Sequence, residues 1–291
     1  MIWGDRIPSP IIIIGAARSG TKFLRDVLAA SRGAKAVGYD VNYVWRYGID
    51  SDAHDRLDPD GLTEERRAFI RNSLSRLARL EPDQCLIEKT VSNTLRIPFV
   101  SAVFPTARYV HLIRNGRDTT ESAMRQWRAP PDPRALWKKL RGLPIRNFGY
   151  ALWFAKNTVA GLISGRKGGK VWGPRYPSID EDLGTRSLAE ICALQWKYSV
   201  YYALEDLAYI PADRVFEIRY EDLASGPEAL SSLVSDLELV DRDSILTRYQ
   251  AMIQNGTGDR WRALPEADLK RIEDILGPIL RDLGYGVGSH Q

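Results

Sequence analysis

The chain has 291 residues, 44% of them hydrophobic, with a formal net charge of +4 and a pI near 9.0. This is enough apolar material for one large α/β domain or two small ones, and the modest positive charge suits an anionic ligand without demanding a nucleic-acid partner. Two cysteines exclude a disulfide framework or zinc site, the three histidines lack metal-ligand spacing, and the isoleucines near the start are too few to cross a bilayer, so a metal-free cytoplasmic protein is expected.

The first element is a bare apolar strand, Ile11 to Ile14. A small-residue turn follows, Gly15-Ala16-Ala17-Arg18-Ser19-Gly20, and then a helical pattern from Thr21 to Ala30 with Phe23, Leu24, Val27 and Leu28 on one stripe. Backbone N–H groups at such a turn, with the positive end of the helix behind them, form a cradle for phosphate or sulfate. A Walker A loop requires Gly-Lys followed by Ser or Thr. Here Thr21 stands where the lysine belongs and Lys22 comes one place late, which argues against an ordinary ATPase or kinase loop. A plain tight connection remains the alternative.

Further along, Asp40 lies in Tyr39-Asp40-Val41-Asn42-Tyr43, a setting that also suits a turn or cap residue. Leu62 to Leu80 is helical, with Thr63 as N-cap. Cys85 to Ile87 reads as a strand running into Glu88-Lys89-Thr90-Val91-Ser92-Asn93, where Glu88 and Lys89 could form a strand-end ion pair. Arg108 to Ile113 is a third strand. It ends at Arg114-Asn115-Gly116-Arg117-Asp118 before a helix around Thr119 to Gln126; Arg114 with Ser122 is a second anion candidate, and Arg117 with Asp118 a candidate surface pair.

Residues 128–178 are rich in proline, glycine, aromatics and cations, and read as an insertion or lid, either a solvated face or an anionic-glycan contact. Ser187-Leu188-Ala189-Glu190 is a capping box opening a helix to about Leu207. Arg214 to Tyr220 is a fourth strand, Pro227 opens a helix, and Pro265 to Leu283 is a last amphipathic helix. Strands that end in polar residues and lead into helices describe an open parallel sheet, with ligands outside the strands' carboxyl ends.

Three segments in this order, Arg18-Ser19-Gly20-Thr21, Tyr109 to Asp118 with Ser122, and Arg219-Tyr220-Glu221-Asp222-Leu223, resemble sulfotransferases that use 3'-phosphoadenosine 5'-phosphosulfate (PAPS). The resemblance covers most of the chain outside the insertion. It implies a single three-layer α/β domain over residues 1–291, with a P-loop-like central parallel sheet flanked by helices. It assigns the 5'-phosphosulfate to Arg18, Ser19, Gly20, Thr21 and Lys22, the 3'-phosphate to Arg114 and Ser122, and adenine contact to Phe23 and Tyr220. Arg18 stands where many relatives carry lysine and would act electrostatically. Gln254-Asn255-Gly256 replaces the usual Arg-Lys-Gly of the late cofactor loop.

The small-molecule branch carries Lys-Thr-His after the second strand, whereas this chain has Lys89-Thr90-Val91, so another base is needed. By similarity to the carbohydrate branch, Asp40 is the expected base, Lys89 a cation near the sulfuryl group, and Glu88 the competing base. The acceptor would be a hydroxyl, with carbohydrate or glycolipid favoured and no metal required. A nucleotide kinase or NTPase, and a non-catalytic glycan binder, are the alternatives.

Overall fold

The computed structural model describes residues 9–49, 54–129, 172–253 and 258–286. Five strands, β1 Ile11–Ile14, β2 Ala34–Ala36, β3 Cys85–Glu88, β4 Arg108–Ile113 and β5 Val215–Arg219, form one sheet in the order β2-β3-β1-β4-β5. Every neighbouring pair is parallel, with Ile12 beside both Glu88 and Tyr109. The chain leaves β1 toward the β2 edge, then crosses from β3 past β1 to β4. The crevice outside the carboxyl ends of β3, β1 and β4 is therefore the natural ligand position of this topology.

Eleven helices among the described residues cover the sheet: α1 Thr21–Leu28, α2 Asn42–Trp45, α3 Glu64–Ala78, α4 Ile97–Val103, α5 Gly116–Arg128, α6 Ile179–Thr185, α7 Leu188–Leu207, α8 Tyr220–Ser225, α9 Glu228–Asp236, α10 Arg242–Met252 and α11 Glu266–Asp282. Ile12 and Ile14 point into a core shared with α2, α3, α4 and the end of α7. Ile11 and Ile13 point into a second, built with α1, α9 and α10. This explains four consecutive isoleucines: the central strand is buried on both faces, so no polar alternation is tolerated. A third cluster joins α5, α7 and α11 to Ala16 and Ile113, at the carboxyl end of the sheet.

The expected helix starts are present. The Thr63 side chain accepts from the Arg66 N–H at the head of α3, and Ser187 and Glu190 close both arms of the capping box of α7. Several sequence expectations change. β2, Ala-Lys-Ala, has no apolar run and is held by its pairing with β3. Val91–Leu95 is a 3₁₀ turn and α4 follows it with Pro98 in its first turn, where its missing N–H costs nothing. Tyr220 leaves the strand to open α8, and Pro227 is the residue before α9 rather than its first. Arg117 does not pair with Asp118; it is buried and holds Glu273 of α11 through two bonds of 2.9 and 2.7 Å.

His111 is 1% exposed on β4, and its Nε2 has no partner among the described residues; burial pushes its pKa down to about 4. Most of the expected insertion, 130–171, lies outside the described residues. Its far end is tied down: Tyr176 is fully buried and stacked on Tyr198 at 4.7 Å, and Gln195 of α7 donates to the carbonyls of Trp172 and Pro174. Among the described residues, no helix is long and apolar enough to cross a membrane.

Candidate anion and acceptor site

The turn after β1 is built to keep side chains out. A Cβ on Gly15 would lie 2.6 Å from the Leu112 carbonyl oxygen, and one on Gly20 2.5 Å from the Tyr220 ring. Gly20 also has φ of +101°, a region open to glycine at little cost, and Arg18 has φ of +74°. The Ser19 N–H and hydroxyl both donate to the Ala16 carbonyl, at 3.1 and 2.7 Å. Thr94 of the 3₁₀ turn locks the entry, accepting from the Gly15 N–H at 3.3 Å and donating to its carbonyl at 3.1 Å. α1 then begins at Thr21 with no side-chain cap and no acidic residue in its first turn. Its leading N–H groups and positive dipole end face the turn, the arrangement that receives an anion.

Positive charge gathers on the β4 side of this turn. The Arg18 Nε donates to Ser122 Oγ at 3.0 Å, and Arg114 Nη1 donates to the Arg18 carbonyl at 3.4 Å. Arg114 lies over the Tyr220 ring at 4.1 Å, and its carbonyl accepts from Trp196 Nε1. Partial burial, then the like charges of Arg125 and Arg114, lower the pKa of Arg18 from the ordinary arginine value. Arg18, Arg114, Ser122, Tyr220 and Gly20 are thus one constellation. The Arg18 side chain turns toward Ser122, the residue expected at the 3'-phosphate. Lys22 is exposed on the first turn of α1, and Phe23 is half-buried with its ring edge-on to Tyr249 at 6.0 Å.

On the other side of β1, at the carboxyl end of β3, Lys89 Nζ donates to Asp40 Oδ1 at 2.8 Å. The Val91 N–H reaches the same oxygen at 3.3 Å. Lys89 is nearly buried, whereas the Asp40 side chain is 37% exposed. Glu88 does not pair with Lys89. It is fully buried and accepts from Trp45 Nε1, the Thr90 N–H, the Thr90 hydroxyl and Asn93 Nδ2, at 3.3, 3.2, 2.6 and 2.7 Å. Burial raises its pKa, with the bonds from Thr90 and Trp45 opposing.

These bonds extend into a lattice that the sequence did not announce. Thr90 Oγ1 accepts from the Val41 N–H, directly after Asp40. Asn42 accepts from Arg96 Nη2 at 2.6 Å and donates to Asp55 at 2.9 Å. Asp55 is buried and also accepts from Ser92 and the Arg175 N–H. Burial works against its charge, yet Arg96, these hydrogen bonds and Arg46 hold its pKa below the usual carboxylate value. The loop carrying Asp40 is thereby fastened to the loop carrying Lys89.

The late loop contributes less to the described structure. Residues 254–257, which include Gln254-Asn255-Gly256, lie outside it. Arg262 pairs with Asp259, and Trp261 sits under Arg117. Asp118, at the start of α5, has its pKa raised to about 6, chiefly by burial and against the nearby charge of Arg114.

Residues 10–138 match the model of the sulfotransferase family. No curated protein sequence matches the chain. Among solved structures, the sulfotransferase domain from the curacin biosynthetic pathway is 17% identical, with 98% of this chain and 100% of that one covered and a TM-score of 0.53. The sulfotransferase domain of the Synechococcus PCC 7002 olefin synthase is 15% identical, with 97% of each chain covered and a TM-score of 0.52. A sulfotransferase from Alicyclobacillus acidocaldarius is 13% identical, with 95% and 94% covered and a TM-score of 0.52. At these identities the likeness is one of fold, and the segment 10–138 supplies the sequence evidence. Residues 10–138 are thus similar to the sulfotransferase family, and the chain carries the α/β fold of these solved sulfotransferases over nearly all its length.

Proposed function

We propose that the protein transfers a sulfuryl group from PAPS to an acceptor hydroxyl, with carbohydrate or glycolipid as the favoured acceptor class. The observation that carries this reading is the Lys89–Asp40 pair at the end of β3, on the strand beside the glycine-framed turn of β1. The residues present fit the nucleotide: a turn closed to side chains at Gly15 and Gly20, and beside it two arginines, Arg18 and Arg114, with Ser122. PAPS supplies a sulfuryl group already activated by its phosphate leaving group.

The N–H groups of the turn and of the first turn of α1 would hold the 5' anion, with Thr21 and Lys22 beside it. Arg114 and Ser122 would take the 3'-phosphate. The Tyr220 ring touches both groups, with Arg114 over it at 4.1 Å and its edge filling the space beside Gly20. Phe23 would bound the adenine side. Catalysis of this kind rests on placing reactants and stabilising charge on the leaving oxygen, for which Lys89 is the preorganised cation.

Asp40 is the preferred base. Both of its described bonds fall on Oδ1, and it is the more open of the two candidate carboxylates, leaving Oδ2 to accept the acceptor's proton. Glu88 is enclosed by four donors and serves to set the loop. Incubation with PAPS and a panel of saccharide, glycolipid, phenol and alkyl hydroxyls should release 3'-phosphoadenosine 5'-phosphate with one class. Absence of nucleotide binding by calorimetry sinks the reading, and magnesium-dependent ATP turnover replaces it with a kinase or NTPase.

A further inference from the structure

The 3₁₀ turn Val91–Leu95 reads Val-Ser-Asn-Thr-Leu, and Ser92, Asn93 and Thr94 in it are buried, as is Thr90 just before it. Burying hydroxyls and amides is costly unless each finds a partner, and here the partners lie on different parts of the site. At one end, the Thr94 hydroxyl accepts from the Gly15 N–H and donates to the Gly15 carbonyl, where the anion turn opens. At the other, the Thr90 hydroxyl donates to Glu88 at 2.6 Å, which leaves its lone pairs for the Val41 N–H at 3.1 Å. The Val91 N–H and Lys89 Nζ both donate to Oδ1 of the preceding residue, Asp40. Between the two ends, Ser92 donates to Asp55 at 2.8 Å and Asn93 to Glu88 at 2.7 Å.

One short segment, Thr90 to Thr94, is therefore bonded to the anion turn at one end and to the Asp40 loop at the other, and it is pinned between them. Transfer between two bound groups depends on their separation, and a misplacement of about 1 Å can cost about 10²-fold in rate. We infer that Thr90 and Thr94 are positioning residues that hold the anion turn and the Asp40 loop in register, so that a sulfuryl group at the turn meets a hydroxyl beside Asp40. Each acts through the backbone of another residue, Thr94 through Gly15 and Thr90 through Val41. The inference rests on the proposed sulfuryl transfer with Asp40 as base. Simple satisfaction of buried polar groups is the competing account of the two hydroxyls.

Thr94→Val and Thr90→Val keep the shape and remove the hydroxyl. Gly15 is also packed closely on the Leu112 carbonyl, so the turn stays seated on β4, and binding of 3'-phosphoadenosine 5'-phosphate by calorimetry should not change. With PAPS and the member of the saccharide, glycolipid, phenol and alkyl panel that turns over, each valine variant should lower kcat about 10–100-fold at unchanged KM for PAPS. Thr94→Ser and Thr90→Ser should restore it. In an Asp40→Asn background the valine substitutions should lower kcat by less than about threefold, because a base already removed cannot be misplaced. Damage to the framework alone would lower kcat by the same factor in both backgrounds. Unchanged kcat, equal losses in both backgrounds, or a loss of nucleotide affinity that matches the loss of kcat overturns the inference and leaves the sulfuryl-transfer reading intact. Should one valine variant not fold, the other reads out the same difference from the opposite end; failure of both assigns the hydroxyls to the framework and overturns the inference. An Asp40→Asn variant with normal turnover removes the base assignment and this inference with it, and a wild-type chain that turns over no acceptor removes the sulfuryl-transfer reading as well.

Discussion

Replacing Glu88 with alanine tests whether that carboxylate holds the site together or acts in it. The side chain is fully buried, and its removal orphans Trp45 Nε1, Asn93 Nδ2, and the N–H and hydroxyl of Thr90. A buried donor left unpaired costs about 1–3 kcal/mol. The Thr90 hydroxyl can rotate and some donors will relax toward one another, so the expected loss is about 3–5 kcal/mol, the range for breaking a buried polar network. That is a large part of the roughly 5–15 kcal/mol that holds an ordinary domain together. Urea unfolding should show a lower midpoint at unchanged slope. Glu88→Gln preserves the shape but turns one acceptor into a donor facing donors, and should cost less, about 1–3 kcal/mol. If Glu88→Ala costs under about 1 kcal/mol yet abolishes turnover, Glu88 is the base and its assignment to the framework is wrong.

Asp40→Asn should behave in the opposite way. The pair with Lys89 is half open to solvent, so stability should change by only about 1 kcal/mol, while turnover with PAPS falls roughly 10²–10⁴-fold if Asp40 takes the acceptor's proton; a variant that folds and turns over normally removes Asp40 as base. Gly20→Ala forces a Cβ into the Tyr220 ring at φ of +101°, which should cost about 2–4 kcal/mol from left-handed strain and overpacking and abolish nucleotide binding; unchanged binding by calorimetry would show that the turn is not the cradle. His111 stays neutral in the folded chain down to about pH 4, against an ordinary value of 6.5. The unfolded chain takes up the proton first, so stability present above pH 6.5 is lost as pH falls toward 4, by about 3 kcal/mol. His111→Leu should flatten that slope in unfolding midpoints measured against pH, and an unaltered slope would place its origin elsewhere.

Local pattern carried the elements whose signals are local. Ile11 to Ile14 could be read as a doubly buried strand, Thr63 and Ser187 as helix starts, and Gly15 to Thr21 as an anion turn, because sterics, capping and dipole act within a few residues. β2 could not be read, since Ala-Lys-Ala becomes a strand only by pairing with β3. The same holds for Arg117: beside Asp118 in sequence, it is drawn to Glu273, 156 residues away, once α11 packs on α5.

By itself the sequence marked the candidate groups: a turn with its lysine one place late, an arginine and serine eight residues apart, and no histidine after Lys89-Thr90. Tertiary structure decided which of these groups meet. It joined Asp40 to Lys89 across two strands, withdrew Glu88 into a cage of four donors, and turned the Arg18 side chain toward Ser122. The physical reason is range. Backbone conformation and capping are set by neighbours along the chain, whereas the partner of a charge and the water left around it depend on what the fold brings within a few ångströms.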